Sequence, residues 1–301
     1  MTKAITLLDG GMGQELIRRS EQEPTPLWSA RILLDNPDLV EELHVDFIRA
    51  GSRVISLNNY TATPTRLARD ATIDLFELIH TEAKRVAHSA KEKSGAENVA
   101  IAGCLPPLVA SYKPELVPSE ESCLEQYREL VAIQADGVDL FFCETMATIL
   151  EAKAAATAAT ETGLPTIVSF TLDDDNPAQL RSGETLQDAI DTVAPLGVQA
   201  VMANCSMPET MNIALPLLVK AFPRVGAYAN GFQSIAALDA GGTVAGLKAR
   251  QDLTPEKYAA YALGWVEMGA QIVGGCCEVG PDHIAAIDKV LKSKGYGVTP
   301  I

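Results

Sequence analysis

The chain has 301 residues, of which 47% are hydrophobic and 21% charged, and this composition is typical of a globular protein rather than a disordered one. Its formal net charge of -15 repels phosphate backbones and anionic lipid, so we expect neither nucleic acid nor a membrane as a partner. The first residues lack a basic region followed by a long apolar run, which makes a cytoplasmic location the expectation.

Eight short apolar runs rich in Val, Ile, Leu and Ala are candidate strands. They are continuous rather than alternating, and this pattern is typical of strands covered on both faces in a parallel sheet flanked by helices. In chain order the runs are residues 5–8, 54–57, 99–102, 140–142, 166–170, 200–203, 225–228 and 272–273.

Longer segments with helical spacing separate these runs. Three of them begin with a proline that follows Asn36, Thr254 or Gly280, and proline suits the first turn of a helix. The predicted helices include residues 37–50, 73–93, 120–135, 149–161, 255–268 and 281–291.

Four strands are preceded by a glycine at the predicted end of a helix, namely Gly51, Gly137, Gly197 and Gly269. We expect each to adopt the left-handed conformation that glycine allows there. The alternation of eight strands with helices predicts an α/β fold, a (β/α)₈ TIM barrel formed by one domain over residues 1–301. A doubly wound open sheet is the alternative, but the segment DGGMGQE after the first strand lacks the G-x-G-x-x-G spacing of dinucleotide-binding proteins.

Polar and sulfur-bearing residues end or follow nearly every candidate strand. Because barrel enzymes build their active sites at the carboxyl ends of the strands, we expect these side chains to converge on one site. They are Asp9, Asn58, Asn59, Cys104, Glu144, Thr171, Asn204, Cys205, Asn230, Cys276 and Cys277.

Cys205, Cys276 and Cys277 are the candidate metal ligands. Six cysteines in a chain of this length indicate reduced thiols, and two glycines before the adjacent pair permit a turn that directs both thiols to one ion. Three sulfur ligands suit Zn²⁺ and leave one tetrahedral position for a substrate. The alternative is that these cysteines are small buried hydrophobic residues, which is the commoner role of a core cysteine.

At these residues the sequence resembles the homocysteine S-methyltransferase family, barrel enzymes that methylate homocysteine to methionine. The most specific element is the combination of NC and GGCC at two strand ends about 70 residues apart. The matching segments extend along the whole chain: LLDGGMGQEL at 7–16, PLWSARILLDNPDLVEELHVDFIRAG at 26–51, NYTAT at 59–63, FCET at 142–145, SFTL at 169–172, NCS at 204–206 and GGCCEVGPDHI at 274–284.

The resemblance implies that Cys205, Cys276 and Cys277 bind zinc and that the homocysteine thiol is the fourth ligand. Zinc lowers the pKa of a bound thiol, so the sulfur reacts as a thiolate with the methyl group of an onium donor. Asp9 and Glu144 match family positions that hold the amino-acid end of homocysteine, and two carboxylates suit its ammonium group.

Other contacts with the substrates are predicted from strand-end position. The carboxylate of homocysteine is expected to bind backbone amides near Gly10 and Gly11, or Ser169 and Thr171. Asn59 and Asn230, together with Asn58, are candidates for the donor side, with the ordinary role of asparagine in turns as the alternative.

The donor half of the site departs from the family pattern. The segment after the third strand is GCLPPLVASY where several members have Gly-Pro-Tyr, and the seventh strand ends in AYANGF where related sequences often have Tyr-Pro-Asn. S-methylmethionine is favoured by resemblance, and another sulfonium, a betaine or S-adenosylmethionine are alternatives. Trp28, Tyr60 and Tyr112 are candidates for the π faces that a cation needs, and the loop 105–119 is a candidate cover.

Two further functions are compatible with the sequence. One is a methyltransferase that acts on another small thiol or on a selenol. The other is a non-catalytic zinc-binding barrel that serves as a subunit of a methyl-transfer assembly. Assembly of the chain into an oligomer is also compatible with the sequence.

Overall fold

The computed structural model describes residues 3–20 and 23–301. Nine strands of this part of the chain form one parallel sheet, and all eight predicted strands are confirmed, with ends displaced by a few residues. The strands are β1 (Ala4–Leu7), β2 (Val54–Ser56), β3 (Ala100–Leu105), β4 (Leu140–Met146), β5 (Thr166–Phe170), β6 (Ala200–Asn204), β7 (Val225–Tyr228), β8 (Ile272–Val273) and β9 (Gly297–Thr299).

Helices connect successive strands, and the six predicted helical segments are confirmed. The additional helices are mostly short, and a helix of two turns gives little periodicity in a sequence. The helices are α1 (Met12–Ser20), α2 (Ser29–Asp35), α3 (Pro37–Ala50), α4 (Pro64–Asp70), α5 (Phe76–Ser94), α6 (Glu120–Gln134), α7 (Ile149–Thr160), α8 (Leu186–Val193), α9 (Pro208–Ala221), α10 (Pro255–Met268) and α11 (Pro281–Ser293).

The sheet is curled, and its strand order is β2-β3-β4-β5-β6-β7-β8-β1-β9. An isolated parallel bridge between Leu8 and Val54 also links the end of β1 to β2. The C-terminal strand β9, which the sequence did not indicate, pairs with the beginning of β1. The fold is therefore an α/β fold with a curled parallel sheet, and the carboxyl ends of its strands point to the same side.

Both faces of the strands are buried, as their continuous apolar runs predicted. Phe141 and Val168 belong to the large cluster between the sheet and the helices. Their neighbours Phe142 and Ile167 belong to a second cluster on the opposite face of the sheet, together with Met202. Because successive side chains of a strand point to opposite faces, only a strand covered on both sides buries both sets.

The glycines before the strands follow the prediction at three of four positions. Gly51, Gly197 and Gly269 have positive φ angles, whereas Gly137 ends a 3₁₀ turn without one, so the prediction for Gly137 is wrong.

No helix in the described ranges 3–20 and 23–301 is long and apolar enough to cross a membrane.

Glycines in the loops after β1 and β8 are required for close packing. A Cβ atom on Gly10 would lie 2.1 Å from the carbonyl oxygen of Val279, and one on Gly275 would lie 2.1 Å from Val279 Cγ1. The sequence predicted that Gly274 and Gly275 permit the turn before Cys276 through backbone angles that only glycine adopts readily. Neither glycine has a positive φ angle, so the turn does not use the left-handed conformation. These glycines instead allow two backbone segments to approach each other.

We predict that Gly10→Ala destabilises the protein by about 1–3 kcal/mol, because the added methyl group collides with a backbone oxygen that cannot rotate away. Gly264→Ala in α10 is the matched control, since its Cβ meets nothing within 4 Å and alanine favours helix. Chemical unfolding of both variants checks the prediction. Equal stability of the two variants would contradict it.

Candidate metal centre and its cavity

The structure brings together the three cysteines that the sequence predicted as metal ligands. Cys205 directly follows β6, and Cys276 and Cys277 follow β8. The Sγ atom of Cys205 lies 2.7 Å from that of Cys276 and 3.9 Å from that of Cys277. In the described part of the chain, this is the one group of three or more His, Cys, Asp or Glu side chains with metal-ligand spacing.

The sulfur cluster fits a thiophilic metal ion. Three sulfurs bound tetrahedrally to an ion at about 2.3 Å are separated by about 3.8 Å. The distance between Cys205 and Cys277 has this value within 0.1 Å or so, and the distance between Cys205 and Cys276 has to widen by about 1 Å. Thiolates are soft ligands that select zinc and similar ions over magnesium or calcium.

Hydrogen bonds fix the backbone of Cys205 in a left-handed conformation, with φ of 53°. Its N–H donates to the carbonyl oxygen of Tyr228 at 3.2 Å. Its carbonyl oxygen accepts from Asn230 Nδ2 at 2.9 Å and from Thr171 Oγ1 at 3.4 Å. Asn230 and Thr171, which the sequence assigned to substrates, thus support the backbone of Cys205 in this structure.

The three thiols differ in acidity. Hydrogen bonds from Cys276 and Cys277, and then from Tyr112, hold the pKa of Cys205 well below its usual range. The hydrogen bond to Cys205 raises the pKa of Cys276 and of Cys277. Cys205 is therefore the sulfur that carries the negative charge first.

Two carboxyl groups, that of the buried Asp9 and that of the half-buried Glu144, lie on the same cavity as the sulfurs. Asp9 Oδ2 accepts a hydrogen bond from the backbone N–H of Ser56 at 2.8 Å, and Glu144 Oε2 accepts one from the Tyr228 hydroxyl at 3.3 Å. Burial raises the pKa of Asp9 to about 8 and that of Glu144 to about 7. No ion pair of either carboxylate is found among the described residues, so both are placed to receive a cation from a ligand.

The cavity has a volume of about 110 Å³ and carries aromatic side chains from several loops. Trp28, Tyr60, Tyr112 and Phe232 line it. No lysine, arginine or histidine is among the residues that line this cavity. An interior with acidic groups, thiols and π faces but without a basic side chain favours a positively charged ligand.

Two loops enclose this cavity from outside the sheet. Residues Ser111 and Tyr112 come from the loop 105–119, which the sequence indicated as a cover. The loop between β7 and α10 contributes Leu238, Val244 and Leu247, which sequence reasoning missed because that stretch has no motif or periodicity. An ion pair of 2.9 Å between Lys113 and Asp239 joins the two loops.

Comparison with known proteins agrees with this geometry. The sequence profile described as homocysteine S-methyltransferase matches residues 6–291. The chain belongs to the homocysteine S-methyltransferase family. It is thus a methyltransferase, and it is similar to proteins of that family along its whole length.

Two relatives and one solved structure illustrate the similarity. The homocysteine S-methyltransferase of Escherichia coli (strain K12) is 31% identical over 94% of this chain and 94% of its own length. The selenocysteine methyltransferase of Astragalus bisulcatus is 28% identical over 95% of this chain and 92% of its own. The metallated crystal form of the homocysteine methyltransferase MmuM from Escherichia coli superposes with a TM-score of 0.80 and 29% identity, covering 95% of this chain and 96% of that one.

The predicted substrate residues of this methyltransferase fall into two groups. Asp9, Gly10, Gly11, Asn58 and Glu144 line the cavity, whereas Asn59, Ser169, Thr171 and Asn230 do not. Thr171 and Asn230 lie behind Cys205, as described above. The remaining two, Asn59 and Ser169, are buried, and Asn59 Nδ2 lies 2.8 Å from Nδ1 of His80.

Cys104, for which the sequence gave no role, lines the cavity of the methyltransferase beside Glu144. Burial, and then the neighbouring carboxylate, raises the pKa of its thiol well above the usual range. A neutral thiol there donates a hydrogen bond to Glu144, which supports the ionised form of that carboxylate.

Backbone strain concentrates at the site. Among the described residues, five that are not glycine have a positive φ, and four of these line the cavity: Trp28, Tyr112, Thr145 and Cys205. Such conformations cost about 1–3 kcal/mol each and persist where the surrounding contacts enforce them. The sequence carries no signal for them, since none of these residue types favours the left-handed region.

We predict that Cys276→Ala abolishes binding of a thiophilic divalent ion, because two thiols remain where a stable site needs three or four ligands. Cys123→Ala is the matched control, since Cys123 is a buried cysteine outside the cluster whose thiol faces the carbonyl oxygen of Pro118. Metal content after dialysis, measured by mass spectrometry, checks the prediction. Full metal occupancy in Cys276→Ala would remove Cys276 from the ligand set.

Proposed function

We propose that the chain is a zinc-dependent homocysteine S-methyltransferase in which residues 1–301 form one closed (β/α)₈ barrel. The contacts between β1 and β2 support closure of the sheet. The backbone N–H of Asp9 donates to the carbonyl oxygen of Val54 at 3.0 Å, and the backbone N–H of Arg53 donates to the carbonyl oxygen of Leu7 at 2.8 Å. β1 therefore bonds to β2 as well as to β8, and pairing of the first strand with both the second and the eighth leaves no open edge among these eight strands, as a barrel requires.

The sulfur cluster is the observation that carries this proposal. Cys205, Cys276 and Cys277 would hold the zinc ion and leave a coordination position for a substrate sulfur. Zinc, when bound, lowers the pKa of a coordinated thiol, so that homocysteine reacts as its thiolate at neutral pH. The substrate thiol therefore needs no protein side chain to remove its proton.

Asp9 and Glu144 are proposed to bind the ammonium group of homocysteine. Both carboxyl groups face the cavity, Asp9 buried and Glu144 half-buried, and neither has a cationic partner among the described side chains, so a substrate ammonium supplies the missing charge. The homocysteine carboxylate is proposed to bind backbone N–H groups next to Gly10 and Gly11, because the N–H of Gly11 itself already donates to the carbonyl oxygen of Val279 at 2.9 Å. These groups lie at the N-terminus of α1, where the helix dipole favours an anion.

Asn59, Ser169, Thr171 and Asn230 are proposed to act mainly by positioning. Thr171 and Asn230 hold the Cys205 carbonyl group, as their hydrogen bonds support. Asn59 Oδ1 is a buried polar atom without a partner among the described residues, whereas the side chain of Ser169 interacts with that of Tyr228. Since an unpaired buried polar atom is unfavourable, a water molecule or a substrate group is proposed as the partner of Asn59 Oδ1.

The methyl donor is proposed to be a small onium compound, with S-methylmethionine favoured over a betaine. The faces of Trp28 and Tyr60, together with Phe232, suit a sulfonium or quaternary ammonium group. S-adenosylmethionine, another sulfonium, is the larger alternative, and the donor panel described below separates these candidates.

In the proposed reaction, the homocysteine thiolate attacks the methyl carbon of the donor. A carbon–sulfur bond forms while the bond from the methyl group to the onium atom breaks, and the bonding electron pair leaves with the donor as a neutral thioether or amine. No proton moves in this step. Asp9 and Glu144 orient the acceptor, and the aromatic side chains orient the donor and exclude water from the thiolate.

The decisive experiment supplies the purified, zinc-loaded protein with homocysteine and each onium donor in turn, and detects methionine by mass. We expect methionine from S-methylmethionine, with less from a betaine and from S-adenosylmethionine. A parallel panel with selenocysteine and other small thiols tests the alternative acceptors, for which the selenocysteine methyltransferase relative provides a reason. Zinc binding without methyl transfer to any acceptor would favour the non-catalytic alternative.

We further predict that methionine, the product, binds at least about tenfold more tightly at pH 8 than at pH 6. An ammonium ligand requires ionised carboxylates, and a group of pKa about 7 such as Glu144 is mostly protonated at pH 6 and mostly ionised at pH 8. Asp9, with a pKa of about 8, acts in the same direction. Methionine is the suitable ligand because it has no thiol that titrates, and calorimetry measures its Kd.

Glu144→Gln is the matched variant for this measurement, because the amide keeps the size of the side chain but neither ionises nor pairs with an ammonium group. It should weaken methionine binding at pH 8 and reduce the pH dependence, while metal content stays unchanged. Affinity that is independent of pH in the wild-type protein would remove both carboxylates from the ammonium site.

A further inference from the structure

The cavity exposes the sulfur atoms of the proposed metal ligands to the methyl donor. Cys205, Cys276 and Cys277 all line the cavity that would admit the donor. A thiolate of a cysteine is itself a nucleophile, and its methylation would convert a charged ligand into a neutral thioether. A methyltransferase with this site therefore needs a means of directing the methyl group to the substrate sulfur.

Tyr112 is in a position to do this at Cys205. Its hydroxyl oxygen lies 2.9 Å from Cys205 Sγ, and its side chain lines the cavity. A phenol ordinarily titrates near pH 10, so at neutral pH the hydroxyl of Tyr112 carries the proton that it can donate to the sulfur. A lone pair of the sulfur that accepts this hydrogen bond is less available for attack on carbon.

Arg181 braces the same pair of residues from behind. Its guanidinium carbon lies 5.1 Å from the centroid of the Tyr112 ring. Nε donates to Thr171 Oγ1 at 3.0 Å, and Thr171 in turn donates to the Cys205 carbonyl oxygen. An ion pair of 2.9 Å with Asp174 fixes the guanidinium group. Arg181 thus contacts both Tyr112, which lies beside the Cys205 sulfur, and Thr171, which bonds to the Cys205 carbonyl oxygen.

Arg66 anchors the loop that carries Tyr112. The Nε and Nη2 atoms of Arg66 donate to the carbonyl oxygen of Pro107 at 3.1 and 2.9 Å, and Nη2 lies 3.4 Å from Ser111 Oγ. Arg66 is buried, so these hydrogen bonds are shielded from water and fix the loop. Tyr112 has a φ of 63°, which indicates that the loop holds the phenol in place although its backbone is strained. Strain of this kind is retained where the placed group has a role.

We propose that Tyr112, braced by Arg181, protects Cys205 from methylation and so directs the methyl group to the substrate sulfur. The proposal rests on the proposed methyl transfer for its biological meaning. In the side reaction that it suppresses, Cys205 Sγ forms a bond to the methyl carbon while the onium atom leaves with its electron pair. The product is S-methylcysteine, and the sulfur no longer carries a negative charge.

The test uses methyl iodide, a small methylating agent that needs neither homocysteine nor a recognised donor. Zinc-treated wild-type and Tyr112→Phe proteins are exposed to it, and peptide mass mapping follows the gain of a methyl group at each of the three cysteines. Tyr112→Phe keeps the ring but lacks the hydroxyl group. We expect Cys205 to be methylated about tenfold faster or more in this variant, which is the effect of losing a hydrogen bond to a charged group.

Tyr261→Phe is the matched control. Tyr261 lies on α10 and does not line the cavity, and its hydroxyl donates to Glu209 Oε1 at 2.8 Å rather than to a cysteine sulfur. The rate at Cys205 should be the same in Tyr261→Phe as in the wild-type protein. Equal rates of Cys205 methylation in Tyr112→Phe and wild type would overturn the proposal, whatever the outcome of the methionine assay.

Cobalt substitution gives a second readout that involves no methyl transfer. A hydrogen bond to a thiolate stabilises the sulfur electrons, so its loss should shift the thiolate-to-cobalt absorption band of Tyr112→Phe to lower energy, while the band of Tyr261→Phe stays in place. An unchanged band in Tyr112→Phe would show that its hydroxyl group does not act on the bound sulfur. That result would overturn the proposal even if both variants fold and bind the metal.

Discussion

The contact between the glycine-rich loops after β1 and β8 is the constraint on which the site depends. The backbone N–H of Gly275 donates to the backbone carbonyl oxygen of Asp9 at 3.0 Å, and the N–H of Gly11 donates to the carbonyl oxygen of Val279 at 2.9 Å. The loops meet at backbone distance, because glycines at the contact carry no side chains to separate them. This contact brings the carboxyl group of Asp9 and two of the three thiols to one cavity.

The accumulation of negative charge is the second feature that unifies the site. Asp9, Glu144 and the thiolate of Cys205 share a buried cavity that has no basic side chain in its lining. Burial opposes the ionisation of the two carboxyl groups, and their pKa values are raised accordingly. A metal ion and a substrate ammonium would together neutralise these charges, which no lysine, arginine or histidine among the described lining residues does.

The surroundings of Cys205 show how a strained position is maintained. Its left-handed backbone is held by hydrogen bonds to Tyr228, Asn230 and Thr171, and its sulfur contacts the hydroxyl group of Tyr112. These contacts come from the ends of two strands, β5 and β7, and from the loop after β3, so no single element fixes the residue. Because the Tyr112 hydroxyl contacts the sulfur, a residue outside the metal cluster can lower the reactivity of Cys205 towards a methyl donor.

The sequence by itself determined the eight parallel strands, the family and the three sulfur residues, because apolar runs and strand-end motifs are local properties of the chain. It did not indicate β9, the cover contributed by Leu238, Val244 and Leu247, or the contact of Tyr112 with Cys205. It also assigned Thr171 and Asn230 to substrates, whereas the fold places them against the backbone of Cys205. These features were decided by tertiary structure alone, since they depend on which distant loops meet above the strand ends and on the direction in which each side chain then points.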